Sequence, residues 1–176
     1  FAPGITSQTI TVTVKSDRVV EVYESFKVTL SNANGATIGD GVGTGTINND
    51  DSTALSIGDG SVIEGDSGTV NANFTVTLTN PSATIVTVHY ETSNGTASSS
   101  KDYLSAAGTL TFAPNITTQT ITVTVEGDQI EEADESFTLT LSRPNGATLA
   151  DSKAVGTIID DDKLATLEIY LPLVMR

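Results

Sequence analysis

Apolar and polar positions alternate with a period of two over most of the chain, and the polar partners are often threonines. Phe74, Val76 and Leu78 share one phase of a stretch near 69–79, and Val86, Val88 and Tyr90 share one near 84–91. Ile121, Val123 and Val125 alternate with threonines near 118–126, and Phe137, Leu139 and Leu141 do so near 135–142. Leu110 and Phe112 begin a further strand, and Val155 with Ile158 closes the series. Successive side chains of a strand point to opposite faces, so each stretch describes a strand with one buried and one wetted face. Turn residues separate them: "TNPS" at 79–82, "SNGT" at 93–96, "APN" at 113–115 and "RPNG" at 143–146. Seven or so short strands with one apolar face each predict an all-β, antiparallel, Ig-like β-sandwich.

The pattern is also duplicated. Residues 1–51, "FAPGITSQTITVTV…TINNDD", align without a gap to residues 112–162, "FAPNITTQTITVTV…TIIDDD", with 30 of 51 positions identical. A repeat of that length is a domain rather than a solenoid turn. The expected organisation is the second half of one unit at 1–51, a complete unit at 52–162, and a tail at 163–176. In the tail, "LATLEIYLPLVMR" follows Asp162 as "STALSIGDG" follows Asp51, and it reads as one strand whose Pro172 suits an edge. Left alone, the half unit exposes Ile10, Val12 and Val14, with Phe26, Val28 and Leu30, along unpaired strand edges. Two arrangements account for this. Either the chain is a piece of a longer tandem array, or the tail of one subunit completes the half unit of an identical neighbour, end to end.

Charge changes the picture more than composition does. Eight Lys and Arg stand against 22 Asp and Glu, for a net charge of −14. A phosphate backbone would be repelled, so nucleic acid is not expected as a partner; cations and basic surfaces are. Cysteine is absent, which excludes disulfides and thiolate metal sites. The longest apolar run, Ile169 to Met175, is too short for a membrane span and contains Pro172. His89, the single histidine, falls out of phase with Val88 and Tyr90 and reads as a surface strand residue. With no cysteine and one outward histidine there is no nucleophile–base pair, and no enzymatic activity is expected. "GDGVGTG" at 39–45 leads into a strand rather than a helix, so it is no phosphate loop.

The acids are not evenly spread. "IIDDD" at 158–162 runs two β-branched residues into three adjacent carboxylates, and "INNDD" at 47–51 nearly does the same. Carboxylates held this close repel by about a kcal/mol or more per pair at intermediate dielectric. Either solvent or a cation must answer that repulsion. Calcium takes about six to eight oxygen ligands in irregular geometry, which suits acids gathered from several loops.

The motifs "IEGDSGT" (63–69), "SNGTASSSKDY" (93–103), "GTLTFAPN" (108–115), "TITVTVEGDQIEEADESFTLTLS" (120–142) and "GTIIDDD" (156–162) resemble the Calx-beta domain. That family includes the calcium-binding regions of sodium–calcium exchangers and tandem arrays of large bacterial surface proteins. The resemblance implies a β-sandwich that binds Ca²⁺ at loops clustered at one end. It implies Glu64, Asp128, Glu132, Glu135, Asp160, Asp161 and Asp162 as metal ligands, with Asp134 adjacent. Asn94 stands where the family often has an aspartate. In the half unit it implies a weaker second site of Asp17, Glu21, Glu24, Asp50 and Asp51, since Asn49 replaces the first terminal aspartate and no Glu64 equivalent is present. The expected function is an extracellular, cell-surface structural or adhesive module of bacterial type, a stalk or fibre segment stiffened by Ca²⁺. Its partners are neighbouring repeats or identical subunits. A calcium-sensing regulatory domain and a metal-free spacer are the alternatives.

Overall fold

The computed structural model describes residues 1–162, so the strand expected in the tail lies outside the described residues. Residues 1–51 form β1 (Glu24–Thr29) and β2 (Val42–Ile47). The remainder forms β3 (Ala54–Ile57), β4 (Gly60–Ile63), β5 (Gly68–Leu78), β6 (Val86–Asn94), β7 (Ala107–Phe112), β8 (Thr118–Gly127), β9 (Glu135–Asn145), β10 (Thr148–Asp151) and β11 (Lys153–Ile159). No helix occurs among the described residues. One sheet has the order β10-β3-β5-β8, the other β4-β11-β9-β6-β7, and β1 pairs only with β2.

The two larger sheets face each other as a sandwich because their alternating strands bury one phase each. Ala72, Phe74, Val76 and Leu78 of β5 and Ile121, Val123 and Val125 of β8 meet Val86 and Val88 of β6 and Phe137, Leu139 and Leu141 of β9 in one buried cluster. Aromatic rings occupy its centre. Phe74 and Phe137 meet edge to face at 5.8 Å, and Tyr103 stacks on Phe137 at 4.4 Å. Pairing of this kind adds about 0.5–1.5 kcal/mol beyond the area buried. His89 is half-buried on β6, between the buried Val88 and the half-buried Tyr90.

Nine strands stand in 52–162, where alternation suggests seven or so. The surplus comes from four-residue strands, too short to show a period. β3 and β4 are one segment that changes sheets: β3 pairs antiparallel with β5, and β4, after Gly58 and Asp59, pairs parallel with β11. Asp59 anchors the crossover by accepting a hydrogen bond from the Val155 N–H at 2.7 Å. β10 adds a short parallel edge to β3.

Residues 7–16 reproduce the sequence of β8 but form no strand. Ile10, Val12 and Val14 are 60%, 47% and 50% exposed, whereas their counterparts Ile121, Val123 and Val125 are at most 2% exposed. The difference is one of partners. Ten residues of β8 pair with β5, and nothing among the described residues plays that part for 7–16. Among the described residues, backbone hydrogen bonds join this half to the complete sandwich at one bridge, in which Val20 N–H donates to the Pro81 carbonyl and Ala83 N–H to the Val20 carbonyl, both at 2.9 Å.

A glycine under a phenylalanine ring recurs in both copies. A Cβ on Gly156 would enter the Phe137 ring, and one on Gly45 would enter the Phe26 ring. Gly156→Ala should therefore lower the stability of the sandwich by about 1–3 kcal/mol through overpacking. Gly58, with open space around its Cβ position, should tolerate alanine. Urea denaturation of both variants measures the contrast, and equal midpoints would contradict it.

Candidate metal centre

Parallel pairing of β11 with β4 sets Ile158 opposite Val62 and Ile159 opposite Ile63. The two chains therefore leave the sheet side by side at one end of the sandwich. Glu64 N–H donates to the Ile159 carbonyl at 3.2 Å, and Gly65 N–H to Asp161 Oδ1 at 3.0 Å. The result brings together acids far apart in sequence: carboxylate oxygens of Glu64, Asp160 and Asp162 all lie within 4.8 Å of one another. Gly127, at the end of β8, closes against this corner, where a Cβ would strike the carbonyls of Glu64 and Gly65.

A second triad, also within 4.8 Å, consists of Asp102, Glu132 and Glu135. Asp102 reaches it because the loop between β6 and β7 folds over β8. Leu104 N–H donates to the Thr124 carbonyl at 2.8 Å and Glu126 N–H to the Asp102 carbonyl at 2.9 Å. Tyr103, stacked on Phe137, fixes the adjacent position. Asp102 Oδ2 accepts the Ser98 N–H at 2.6 Å. Glu132 comes from the loop between β8 and β9, and Glu135 opens β9.

The electrostatics show one continuous acidic array. Glu64, only 7% exposed, is pushed up to about 7 by burial first and then by Asp128, Asp160, Glu132 and Asp162. Burial also raises Glu135, with Asp102 and Glu132 adding to the shift while Lys101 opposes it. Asp162 is raised by desolvation and by Asp66, Asp160, Asp161 and Asp128. Glu132 thus acts on Glu64 in one triad and Glu135 in the other. Asp160 Oδ1 and Asp162 Oδ2 are covered from solvent and have no hydrogen-bond donor among the described residues. A covered carboxylate oxygen without a donor carries an uncompensated desolvation cost, which a cation bound between these oxygens would relieve. The donor set is entirely carboxylate oxygen, the chemistry of a hard cation such as Ca²⁺ rather than of zinc.

The seven acids implied by resemblance are thus divided. Glu64, Asp160 and Asp162 form the first triad, and Glu132 and Glu135 belong to the second. Asp128 and Asp161 flank the first without entering it; Asp128 Oδ1 accepts the Ile130 N–H at 2.7 Å. Asp134 Oδ1 accepts the Asp160 N–H at 3.3 Å. Asn94 is spoken for, since its Oδ1 accepts the Tyr103 hydroxyl at 2.7 Å and the Ser99 N–H at 3.0 Å. Asp102 and Asp66 were not among the acids read from the sequence. The available signal for Asp102 was its place beside a core tyrosine at the end of "SSSKDY".

Asp17, Glu21, Glu24, Asp50 and Asp51 border one depression of about 340 Å³. Among the described residues they supply no three carboxylates within 4.8 Å of one another. Asn49 explains part of this. Its Oδ1 accepts the Glu21 N–H at 3.1 Å and its Nδ2 donates to the Asp51 carbonyl at 2.8 Å, so both amide atoms are satisfied by backbone.

Comparison with known proteins identifies relatives of the chain. A family model described as the Calx-beta domain matches residues 1–57 and 48–162. The sodium/calcium exchanger Calx of Drosophila melanogaster is 34% identical over 82 residues, which is 46% of this chain and 9% of the exchanger. Adhesion G-protein coupled receptor V1 of Danio rerio is 30% identical over 152 residues, 81% of this chain and 2% of the receptor. The chain thus spans a small part of the curated relatives it matches. Among solved structures, the crystal structure of the apo-form Calx CBD1 domain matches with a TM-score of 0.56 and 28% identity, covering 64% of this chain and 100% of that one. The crystal structure of the calcium binding domain CBD12 of CALX1.1 matches with a TM-score of 0.54 and 30% identity, over 61% of this chain and 46% of that one.

The raised Glu64 sets a pH dependence. Its ordinary value is 4.5 and its folded value about 7, so between these the folded protein binds more protons than the unfolded chain. Stability in chelator should therefore fall as pH rises through that window. Melting in EDTA should be higher at pH ~5 than at pH ~8, and Glu64→Gln should remove most of the difference. A variant that keeps the full wild-type slope would show that Glu64 is not its source.

Proposed function

The chain belongs to the Calx-beta domain family, and on that premise we propose that it is a calcium-binding structural repeat. Residues 52–162 act as a complete unit and residues 1–51 as the second half of another. The observation that carries the calcium reading is the pair of covered, donorless oxygens on Asp160 and Asp162 beside the buried Glu64. Ca²⁺ between Glu64, Asp160 and Asp162 supplies the positive charge that the array lacks. Asp102, Glu132 and Glu135 offer a neighbouring position, with Glu132 close enough to feel both. Asp128 and Asp161 complete the outer ligation, directly or through water.

The ion ties β4, β11 and the loops at 95–103 and 128–134 into one rigid end, and so stiffens the module. We assign this module to a surface stalk, adhesin or fibre, outside the cell, with neighbouring repeats or identical subunits as partners. The length of sequence shared with the adhesion receptor and the internal duplication support that setting. A second reading, regulation by calcium sensing, is favoured by the likeness to the exchanger and its calcium binding domain.

Calorimetric titration and thermal melts test the proposal. Ca²⁺ should bind with measurable heat, and free ion at about 100 times Kd should add about 2.7 kcal/mol of stability. Asp160→Asn and Asp162→Asn should each reduce both effects. No heat at millimolar Ca²⁺ with an unchanged melting temperature would sink the calcium reading. X-ray scattering separates the two roles: a stiffened stalk keeps its profile on binding Ca²⁺, whereas a sensor changes its profile markedly.

A further inference from the structure

The joint between the two units is stitched by asparagine amides. Val20 bridges in parallel to Ser82, which is 2% exposed, by donating to the Pro81 carbonyl and accepting from the Ala83 N–H. Backbone groups alternate in direction along an extended segment, so the N–H groups on either side of Val20 face away from that bridge. Both are held from within residues 1–51. Asp17 Oδ1 accepts the Val19 N–H at 2.9 Å, and Asn49 Oδ1 accepts the Glu21 N–H at 3.1 Å. Asn49 Nδ2 also donates to the Asp51 carbonyl at 2.8 Å, so one amide ties the loop at 17–21 to the start of the linker. Asn80 holds the linker from the other side. Its Nδ2 donates to the Ser52 carbonyl at 2.8 Å, its N–H donates to the Thr53 hydroxyl at 3.1 Å, and that hydroxyl donates to the Asn80 carbonyl at 2.7 Å.

The duplication isolates what is particular to this joint. At the offset of 111 residues Asp17 becomes Asp128, which makes the same local bond, accepting the Ile130 N–H at 2.7 Å. Asn49 becomes Asp160, whose Oδ1 has no donor among the described residues. An ionised carboxylate at position 49 could accept from the Glu21 N–H, but it has no hydrogen to give the Asp51 carbonyl. A neutral amide does both.

We propose that Asn49 is the positioning residue of the junction between consecutive repeats, a tie that presents Val20 to the 81–83 segment without any metal. The amide at 49 is then a gained contact rather than merely a lost ligand. Calcium stiffens the acidic end of residues 52–162, whereas the joint at 49–53 holds its geometry in chelator. This rests on the reading of the chain as consecutive repeats and not on its binding calcium.

The test follows amide hydrogen exchange by NMR in the full, isotope-labelled chain, first in EDTA and then in Ca²⁺. The Val20 and Ala83 amides should be protected in EDTA, and Ca²⁺ should leave both rates within about twofold. Asn49→Ala and Asn49→Asp should each speed exchange at these two amides about tenfold, the scale of a lost hydrogen bond. The core Leu141 amide, which donates to the Ser152 carbonyl at 2.7 Å, should keep its wild-type rate in both variants. Junction amides protected only in Ca²⁺ would overturn the proposal, since the joint would then depend on metal. So would an Asn49→Asp variant with wild-type rates, because acceptance alone would then suffice, or a loss shared equally by Leu141, which would mark a general loosening of the fold. If amides near Glu64 and Asp160 ignore Ca²⁺, the calcium reading fails, and protection of Val20 in EDTA still supports the junction.

Discussion

Parallel pairing of β4 with β11 is the interaction on which the rest of the molecule depends. Four residues of each strand run in register, and the pair can form only because the first strand segment changes sheets between Ile57 and Gly60. Were that segment to continue beside β5, Glu64 would leave the sandwich elsewhere and the terminal aspartates would stand alone. Asp59, bonded to the Val155 N–H, fixes where the change occurs. One turn between two sheets therefore decides the position of a carboxylate that sits among four other acids.

That placement works against stability of the metal-free protein. A buried glutamate beside like charges favours its neutral form, and among the described residues the covered oxygens of Asp160 and Asp162 have no donor. The cost is borne by strands paired along their length, chiefly β5 with β8 and β6 with β9. Those pairings carry the aromatic centre around Phe137, and Phe137 in turn backs Tyr103, next to the second triad's Asp102. Core and acidic end are thus one construction: the ring that fills the sandwich also sets the loop that carries the acid.

The fold was legible because its long strands alternate over enough positions to declare a period. β3, β4 and β10 were not, being four residues each, and with them went the sheet change that organises the acidic end. The acids at 128–135 and 160–162 stand out as dense runs, and Glu64 came by resemblance to a family motif. Asp102 is isolated among serines, and only the folding of its loop over β8 brings it to Glu132 and Glu135. Asn94 illustrates the converse. A position read as a lost ligand is an acceptor that holds Tyr103 and Ser99 in place.

The duplication bears on the acids as well. Each triad draws one member from residues 52–111, Glu64 in the first and Asp102 in the second, and the others from residues 112–162. Residues 1–51 repeat only the latter stretch, and among the described residues the acids at 17–24 and 49–51 have no counterpart of Glu64 or Asp102 beside them. Asn49 adds to the difference: it stands where Asp160 leaves an oxygen without a donor among the described residues, and it satisfies itself on the Glu21 and Asp51 backbone.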